Sequence, residues 1–166
     1  MRKFLFTLLC LMAAMVSVNA GPKKVHTIGD STMATYATDG STDKRGWCQF
    51  LQQFFNAENV KVNNRAKSGA SSKSFYKEAA YWPTLAKGGS DQMQPGDYLL
   101  IQFAHNDEKT TGTDGDELIA YYKSKGMTAE AAAVDYRGTT ASGTFKTYIK
   151  AYIDEAKAMG VTPIVV

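Results

Sequence analysis

Short apolar segments with strand character alternate along this sequence with segments of helical periodicity, and this alternation constrains the fold more than any other feature. The predicted strands are Lys24–Ile28, Val60–Ala66, Asp97–Phe103 and Val161–Val166, and the predicted helices are Gly46–Asn56, Phe75–Trp82 and Thr144–Met159. Strands that alternate with helices pair in parallel through crossover connections. The sequence therefore predicts an α/β fold in which helices pack on a parallel sheet.

The periodicity of individual segments indicates how they are buried. The Thr144–Met159 helix has a regular apolar face, and a second stripe on Gly46–Asn56 comprises Trp47, Phe50, Leu51, Phe54 and Phe55. The run at Tyr98–Ile101 is continuously apolar, which is typical of a strand covered on both faces, and Val161–Val166 reads as another buried strand. Residues 108–142 are predicted to be a surface excursion with short helices near Glu117–Lys125 and Thr128–Val134.

Residues 1–20 have the pattern of a secretory signal peptide. Arg2 and Lys3 precede an apolar run, and Val18-Asn19-Ala20 resembles a cleavage site. Cleavage would leave residues 21–166 as one domain, secreted or periplasmic, with no membrane segment after removal of the signal. The formal charge of +3 would fall to +1, so composition gives no indication of nucleic-acid binding. Cys48 would be the remaining cysteine, and we expect it to be a small buried residue without a disulfide partner.

Three polar segments follow predicted strands: Gly29-Asp30-Ser31, Ser68-Gly69-Ala70 and Ala104-His105-Asn106-Asp107. The carboxyl ends of parallel strands meet at one edge of a sheet, so these segments are expected to converge. The first reads as a strand, a tight turn and a helix, which would put Ser31 among unpaired N–H groups at the positive end of the helix dipole. That setting suits a nucleophile or an anion site. The alternative to such a functional role is that Asp30 or Ser31 is simply a helix N-cap.

The residue types in these segments match the needs of ester hydrolysis by serine. Such a reaction requires a nucleophile, a base and donors for the oxyanion. Ser31 can supply the hydroxyl and a backbone N–H, Gly69 a second N–H, and Asn106 a side-chain amide. Taken singly, Gly69 is better explained by loop geometry, and Asn106 by a turn at the end of a strand. Their order along the chain, each after a strand, favours the catalytic interpretation.

The sequence resembles the SGNH (GDSL-type) hydrolases, and within them the rhamnogalacturonan acetylesterase-like branch. The matching segments are Ile28–Ala34, Gly46-Trp47, Ala66–Phe75, Gly96–Asp107, Gly143-Thr144-Phe145 and Thr162-Pro163. The resemblance implies a three-layer flavodoxin-like fold, with Ser31 as nucleophile and Gly69 and Asn106 as oxyanion donors, supported by Asp30 and Asp107. It also implies an acetylated polysaccharide such as pectin as substrate.

Two departures from the family pattern qualify this expectation. The block around Asn106 usually opens with glycine, and here it opens with Ala104. The family's base and its aspartate lie in a C-terminal Asp-x-x-His segment, and no such segment occurs before Val166, so the C-terminal part of the fold is expected to be missing. His26 within the first strand and His105 beside Asn106 are poor replacements. We therefore expect little esterase activity from this chain and full activity from a longer parent.

Other interpretations remain open. An α/β-hydrolase would need Gly-x-Ser-x-Gly, and Thr32-Met33 follows Ser31 instead. A secreted binding module could use the Gly29–Ser31 turn for a carbohydrate or an anion without catalysis, although no dinucleotide or Walker glycine pattern supports this. An unpaired apolar edge strand could also leave the chain unstably folded. No cofactor is expected, and two histidines in different strands make a poor metal site.

Overall fold

The computed structural model of the protein describes residues 21–110, 124–126 and 137–166. The predicted signal peptide lies outside these ranges, and so do the helices predicted near Glu117–Lys125 and Thr128–Val134, apart from residues 124 and 125. No helix among the described residues has the length and apolar character needed to cross a membrane.

The described residues form a parallel sheet of four strands. The strands are β1 (Lys23–Gly29), β2 (Val60–Asn64), β3 (Tyr98–Gln102) and β4 (Thr162–Val165), in the order β2-β1-β3-β4. Val25 of β1 aligns with Val62 on one side and with Tyr98 on the other, and Tyr98 aligns with Thr162. The predicted parallel α/β sheet is confirmed.

Within the described ranges, three α-helices cover one face of the sheet: α1 (Ser72–Lys77), α2 (Trp82–Ala86) and α3 (Thr144–Ala158). The apolar face predicted for the long helix is confirmed, since Tyr152 and Ala156 are buried against Leu99 and Ile101 of β3. The Glu155 carboxylate accepts hydrogen bonds from Tyr76 Oη and from Trp82 Nε1, the latter at 2.8 Å, and so ties the three helices together. The helix ends before Gly160, which has φ +74°.

The single helix predicted at Phe75–Trp82 is wrong in its bounds. The chain forms α1, which begins at Ser72, and then the separate helix α2. Ser71 caps α1 in a reciprocal arrangement with Ser74, in which each side chain accepts a hydrogen bond from the backbone N–H of the other. The helix therefore begins at Ser72, before the predicted Phe75, within serines that had been interpreted as a loop. Pro83 lies in the first turn of α2, where its missing N–H costs nothing.

A thinner layer covers the other face of the sheet. Here the predicted Gly46–Asn56 helix is a 3-10 helix, Trp47–Phe54, which contacts the sheet through Cys48 and Leu51. The prediction that its aromatic stripe is buried is wrong, because Trp47 is 42% exposed and Phe54 is 75% exposed. A stripe with a period of 3.6 residues does not stay on one face of a helix with 3.0 residues per turn.

Two strand predictions are also corrected. β3 was expected to be covered on both faces, but Leu99 and Ile101 are fully buried whereas Leu100 is half-buried and Tyr98 is exposed. β4 was expected to be buried, but Val165 is 54% exposed, because β4 lies at the edge of the described sheet. Burial in β3 therefore alternates with the pleat.

Candidate functional site

The turn after β1 holds Ser31. The carbonyl of Asp30 accepts hydrogen bonds from the N–H groups of Met33 and Ala34, at 3.3 and 3.1 Å. Its carboxylate accepts two more, from the backbone N–H and the hydroxyl of Thr32, both at 2.8 Å. The predicted helix directly after Ser31 is wrong, since residues 34–46 contain no helix. Asp30 therefore caps a single turn, and no helix dipole acts on Ser31.

Close backbone packing makes this turn tight. A Cβ on Gly29 would overlap the Met33 side chain and the carbonyl of Gln102, so only glycine fits at the end of β1. The Ser31 carbonyl accepts a hydrogen bond from Tyr36 Oη at 2.9 Å. The Ser31 N–H, by contrast, has no hydrogen-bond partner among the described residues. No described residue therefore competes with a ligand for this donor.

The loop after β2 runs along the end of β1. The N–H of Lys67 donates to the Gly29 carbonyl at 2.9 Å, and the N–H of Ala70 donates to the Lys67 carbonyl at 3.1 Å. Gly69 lies at the bend with φ +82°, where a side chain would be strained. Its carbonyl accepts a hydrogen bond from Arg137 Nη1 at 3.1 Å, whereas its N–H has no partner in the described part of the chain. Gly69 thus presents a second unpaired donor.

The third segment follows β3, which ends at Gln102 rather than at the predicted Phe103. Asn106 is buried, and its Nδ2 donates to the Ala70 carbonyl at 2.9 Å. An amide nitrogen has two hydrogens, so one remains available. His105 was expected to point away from Asn106 if the strand continued, but the chain turns here, and both residues line the same cavity.

Asp107 connects this segment to two others. Its buried carboxylate accepts hydrogen bonds from the Ser72 N–H at 3.0 Å, the Ser72 hydroxyl at 2.5 Å and the Thr139 hydroxyl at 2.9 Å. Burial raises the pKa of Asp107 above its usual value, although these hydrogen bonds act in the opposite direction. The hydroxyl of Tyr152 in α3 reaches the same place and donates to the Ser72 carbonyl at 2.6 Å. The supporting role proposed for Asp107 is thus a link between loops.

A cavity of about 380 Å³ lies where the three segments meet. It is lined by Ser31, Thr32, Tyr36, Lys44, Arg45, Ser68, Gly69, His105 and Asn106. The predicted convergence at the carboxyl end of the sheet is confirmed. Sequence reasoning missed Tyr36, Lys44 and Arg45, which come from the long segment between β1 and the 3-10 helix. The basic pair before Gly46-Trp47 was the signal that could have indicated them.

The remaining candidate residues lie away from the cavity. His26 is fully buried, with Nε2 at 3.3 Å from the Asp97 carboxylate and Nδ1 at 3.1 Å from Asn63 Nδ2, which confirms it as a core residue. Burial lowers the pKa of His26, and Asp97 opposes this effect. Cys48 is buried as expected, and burial raises the pKa of its thiol to about 11. Within the described residues, no group of three or more histidine, cysteine or acidic side chains could hold a metal ion.

The resemblance noted in the sequence is confirmed by comparison with known proteins. Residues 25–159 match the profile of the family described as GDSL-like lipase/acylhydrolase. The chain is 31% identical over 142 residues to a Bacillus subtilis protein named "Probable rhamnogalacturonan acetylesterase YesY", covering 86% of this chain and 52% of that protein. It is also 31% identical over 145 residues to rhamnogalacturonan acetylesterase RhgT of the same organism, covering 87% and 48%.

A third relative is a rhamnogalacturonan acetylesterase of Emericella nidulans, 31% identical over 90 residues, which covers 54% of this chain and 31% of that one. The chain thus spans about half the length, or less, of the curated relatives it matches. A crystal structure of protein YxiM from Bacillus subtilis superposes with a TM-score of 0.58 at 22% identity, covering 87% of this chain and 32% of that chain. This similarity agrees with the parallel α/β fold described above.

Proposed function

The chain belongs to the GDSL-like lipase/acylhydrolase family, and we propose that its cavity is the site at which Ser31 hydrolyses acetyl esters on carbohydrate. The observation that carries the proposal is that Ser31 and Gly69, whose backbone N–H groups lack partners among the described residues, line one cavity together with Asn106. The names of the relatives favour a pectin-type polysaccharide, such as rhamnogalacturonan, as the substrate.

The proposed reaction proceeds through an acyl-enzyme. The Ser31 hydroxyl attacks the acetyl carbonyl, and the carbonyl oxygen takes up negative charge as the tetrahedral intermediate forms. The N–H groups of Ser31 and Gly69 and the free hydrogen of Asn106 Nδ2 donate to this oxygen. Collapse of the intermediate releases the sugar hydroxyl and leaves acetyl on Ser31. Water then attacks the acetyl-serine and releases acetate.

The hydrogen bond from Asn106 Nδ2 to the Ala70 carbonyl supports its assignment as an oxyanion donor. It fixes the amide in one orientation before substrate binds, so little reorganisation is needed as charge develops. Removal of one such donor costs about 10²–10³ in kcat in serine hydrolases. Asn106→Ala should therefore act mainly on kcat, whereas a residue that only shapes the rim would act on KM.

The reaction also needs a base to accept the Ser31 proton. The family resemblance implies a histidine in an Asp-x-x-His segment for this role. The described residues bring one histidine, His105, to the cavity, where it is exposed. We propose that His105 contributes to the cavity wall and is not the base. His105→Ala should then retain at least about a tenth of the activity, because loss of a general base typically costs 10²–10⁴.

Labelling of the full-length protein with a serine-directed fluorophosphonate tests the role of Ser31. The proposal expects modification of Ser31 and its loss in Ser31→Ala, whereas Ser68→Ala, which alters another serine of the cavity lining, should still be labelled. Release of acetate from acetylated rhamnogalacturonan should likewise be lost in Ser31→Ala and retained in Ser68→Ala. Labelling that survives in Ser31→Ala would contradict the proposal. A folded protein that binds oligosaccharide but resists labelling would favour the non-catalytic binding module.

We also propose that residues 1–20 direct the protein out of the cytoplasm, to the periplasm or the medium. The basic start, the apolar run and Val18-Asn19-Ala20 support this. Expression in a secreting bacterial host, followed by mass spectrometry of the exported protein, should give a chain that begins at Gly21. Recovery of an uncleaved chain from the cytoplasm alone would contradict it.

A further inference from the structure

The wall of the cavity is unevenly charged. Two of the nine described residues that line it, Lys44 and Arg45, are cationic, and none of these nine is acidic. The chain as a whole is nearly balanced, with 19 basic and 16 acidic residues, so this local excess does not follow from composition. An acetyl ester is neutral and does not need two cations beside it. In a bound substrate, these cations would interact with a group other than the ester.

The two cations are held in different ways. Arg45 Nη1 donates to the carbonyls of Ala37, Thr42 and Lys44, at 3.3, 2.9 and 2.6 Å, which anchors its guanidinium on the segment that carries it. The side chain of Lys44 is exposed, and its ammonium forms no hydrogen bond or ion pair with any residue that the structure describes. One charge is thus fixed in place, and the other can move to meet a ligand.

Acidic residues on the same segment do not neutralise this pair. Asp39 and Asp43 do not line the cavity. The Asp39 carboxylate accepts a hydrogen bond from the N–H of Ser41 at 2.9 Å and caps a local turn. Among the described residues, neither aspartate forms an ion pair with Lys44 or Arg45. Among the described residues, therefore, no acidic side chain neutralises Lys44 or Arg45 at the cavity wall.

We propose that Lys44 and Arg45 form a subsite for a carboxylate of the polysaccharide, that of a uronate sugar at or next to the acetylated residue. This inference rests on the proposed function, because it assumes a sugar ester at Ser31. A guanidinium presents planar N–H donors that match a carboxylate, and a lysine adds a mobile charge. The subsite would select acidic chains over neutral ones and would speed their association, an effect that salt screens.

Two carboxylates could occupy this wall: the uronate of the substrate and the acetate released by the reaction. Both would bind the same cations, so the experiment must separate them. A uronate within an oligosaccharide gains additional contacts from its neighbouring sugars, whereas acetate has none. Acetate should therefore compete weakly, and a polymeric uronate strongly.

Isothermal titration of the Ser31→Ala chain with two probes tests the subsite without any need for hydrolysis. The probes are unesterified oligogalacturonate and the same oligomer fully methyl-esterified, which lacks the charge. We expect the charged oligomer to bind at least about fivefold more tightly at low ionic strength, and this preference to shrink as salt is raised toward about 0.5 M. Lys44→Gln should reduce the preference about threefold, and Lys44→Arg should preserve it.

Lys157→Gln is the matched control. Lys157 is an exposed lysine in the last turn of α3, at the end of the sheet opposite the cavity, and its replacement removes the same charge. It should leave the preference unchanged. Arg45→Lys keeps the charge but loses the planar donors, and should lower the preference with the circular dichroism spectrum unchanged.

Equal binding of the two oligomers would overturn the inference. An equal loss of the preference in Lys44→Gln and Lys157→Gln would also overturn it, because it would indicate attraction by net charge alone. Competition by sodium acetate as strong as that by the oligomer would do the same. Because these titrations use Ser31→Ala and need no hydrolysis, failure of the esterase proposal would appear separately, as absence of Ser31 labelling and acetate release in the full-length protein with Ser31 intact.

Discussion

Replacement of Asp107 by alanine should destabilise the region beside the cavity, because its carboxylate joins the segment after β3 to the start of α1 and to Thr139. It accepts hydrogen bonds from the backbone and hydroxyl of Ser72 and from the hydroxyl of Thr139. Asp107 also follows directly on Asn106, so the same carboxylate holds the proposed oxyanion donor against the loop of Gly69. The variant tests whether this buried carboxylate stabilises the native arrangement.

The expected magnitude follows from the donors that lose their acceptor. Each buried donor left unsatisfied costs about 1–3 kcal/mol, and Asp107→Ala leaves three. Relief of the buried charge offsets part of this cost, because burial outweighs the hydrogen bonds in setting the raised pKa of Asp107. We expect a net loss of about 2 kcal/mol at pH 7, or a fall in Tm of about 4–8 °C for a chain of this size.

The pH dependence gives a sharper test than the size of the loss. Since the pKa of Asp107 is raised on folding, its contribution to stability is fully present below its unfolded pKa and is lost as the pH rises through its folded pKa. The free-energy difference between the wild type and Asp107→Ala should therefore grow as the pH falls from 7 toward about 4. A carboxylate stabilised by an ion pair would give the opposite trend.

Urea unfolding followed by circular dichroism at several pH values measures this difference. Asp43→Ala serves as the control, because Asp43 is exposed and its side chain makes no hydrogen bond with the described residues. It should change the stability by less than about 0.5 kcal/mol. A loss in Asp107→Ala as small as that of the control, or a difference that shrinks on acidification, would refute the assignment of Asp107 as the buried link.

Three further predictions concern single residues. Burial lowers the pKa of His26, so its contribution to stability is present above its unfolded pKa of about 6.5 and is lost as the pH falls through its folded pKa. The stability of the wild type relative to His26→Gln should therefore decline on acidification. A difference in urea unfolding that stays constant with pH would contradict this. Gly69→Ala and Gly40→Ala both place a side chain at φ above +80°, and each should lower the free energy of unfolding by about 1 kcal/mol. Only Gly69→Ala should slow the labelling of Ser31. Equal labelling rates in the two variants would argue against Gly69 as a donor. Cys48, with a pKa of about 11, should react with a thiol reagent at pH 8 far more slowly in the folded chain than in urea, and similar rates would show that it is accessible.

The sequence predicted the parts of this fold that depend on local patterns and on the topology of parallel sheets. Apolar runs bounded by turns located the strands, and the alternation with helices implied parallel pairing. The convergence of Ser31, Gly69 and Asn106 then followed, because the carboxyl ends of parallel strands share an edge. None of these steps required knowledge of side-chain contacts.

The parts that the sequence did not predict depend on contacts between distant segments. Nothing in the periodicity of residues 47–54 distinguishes an α-helix from a 3-10 helix, so the exposure of Phe54 was not foreseen. The partners of Asp107 are a serine at the start of α1 and a threonine 32 residues further along the chain. Serine and threonine have many local roles, and their long-range pairing leaves no pattern in the sequence.

The structure also changes the physical explanation of how the surroundings of Ser31 could stabilise negative charge. The sequence suggested that a helix dipole would polarise its surroundings, but the chain forms one turn and then leaves. Asp30 satisfies the N–H of Thr32, and Tyr36 satisfies the Ser31 carbonyl, so the turn is held by its own side chains. The N–H groups of Ser31 and Gly69 have no partner among the described residues. The backbone donors that we propose for the oxyanion thus lie in loops at the ends of strands, without a helix N-terminus.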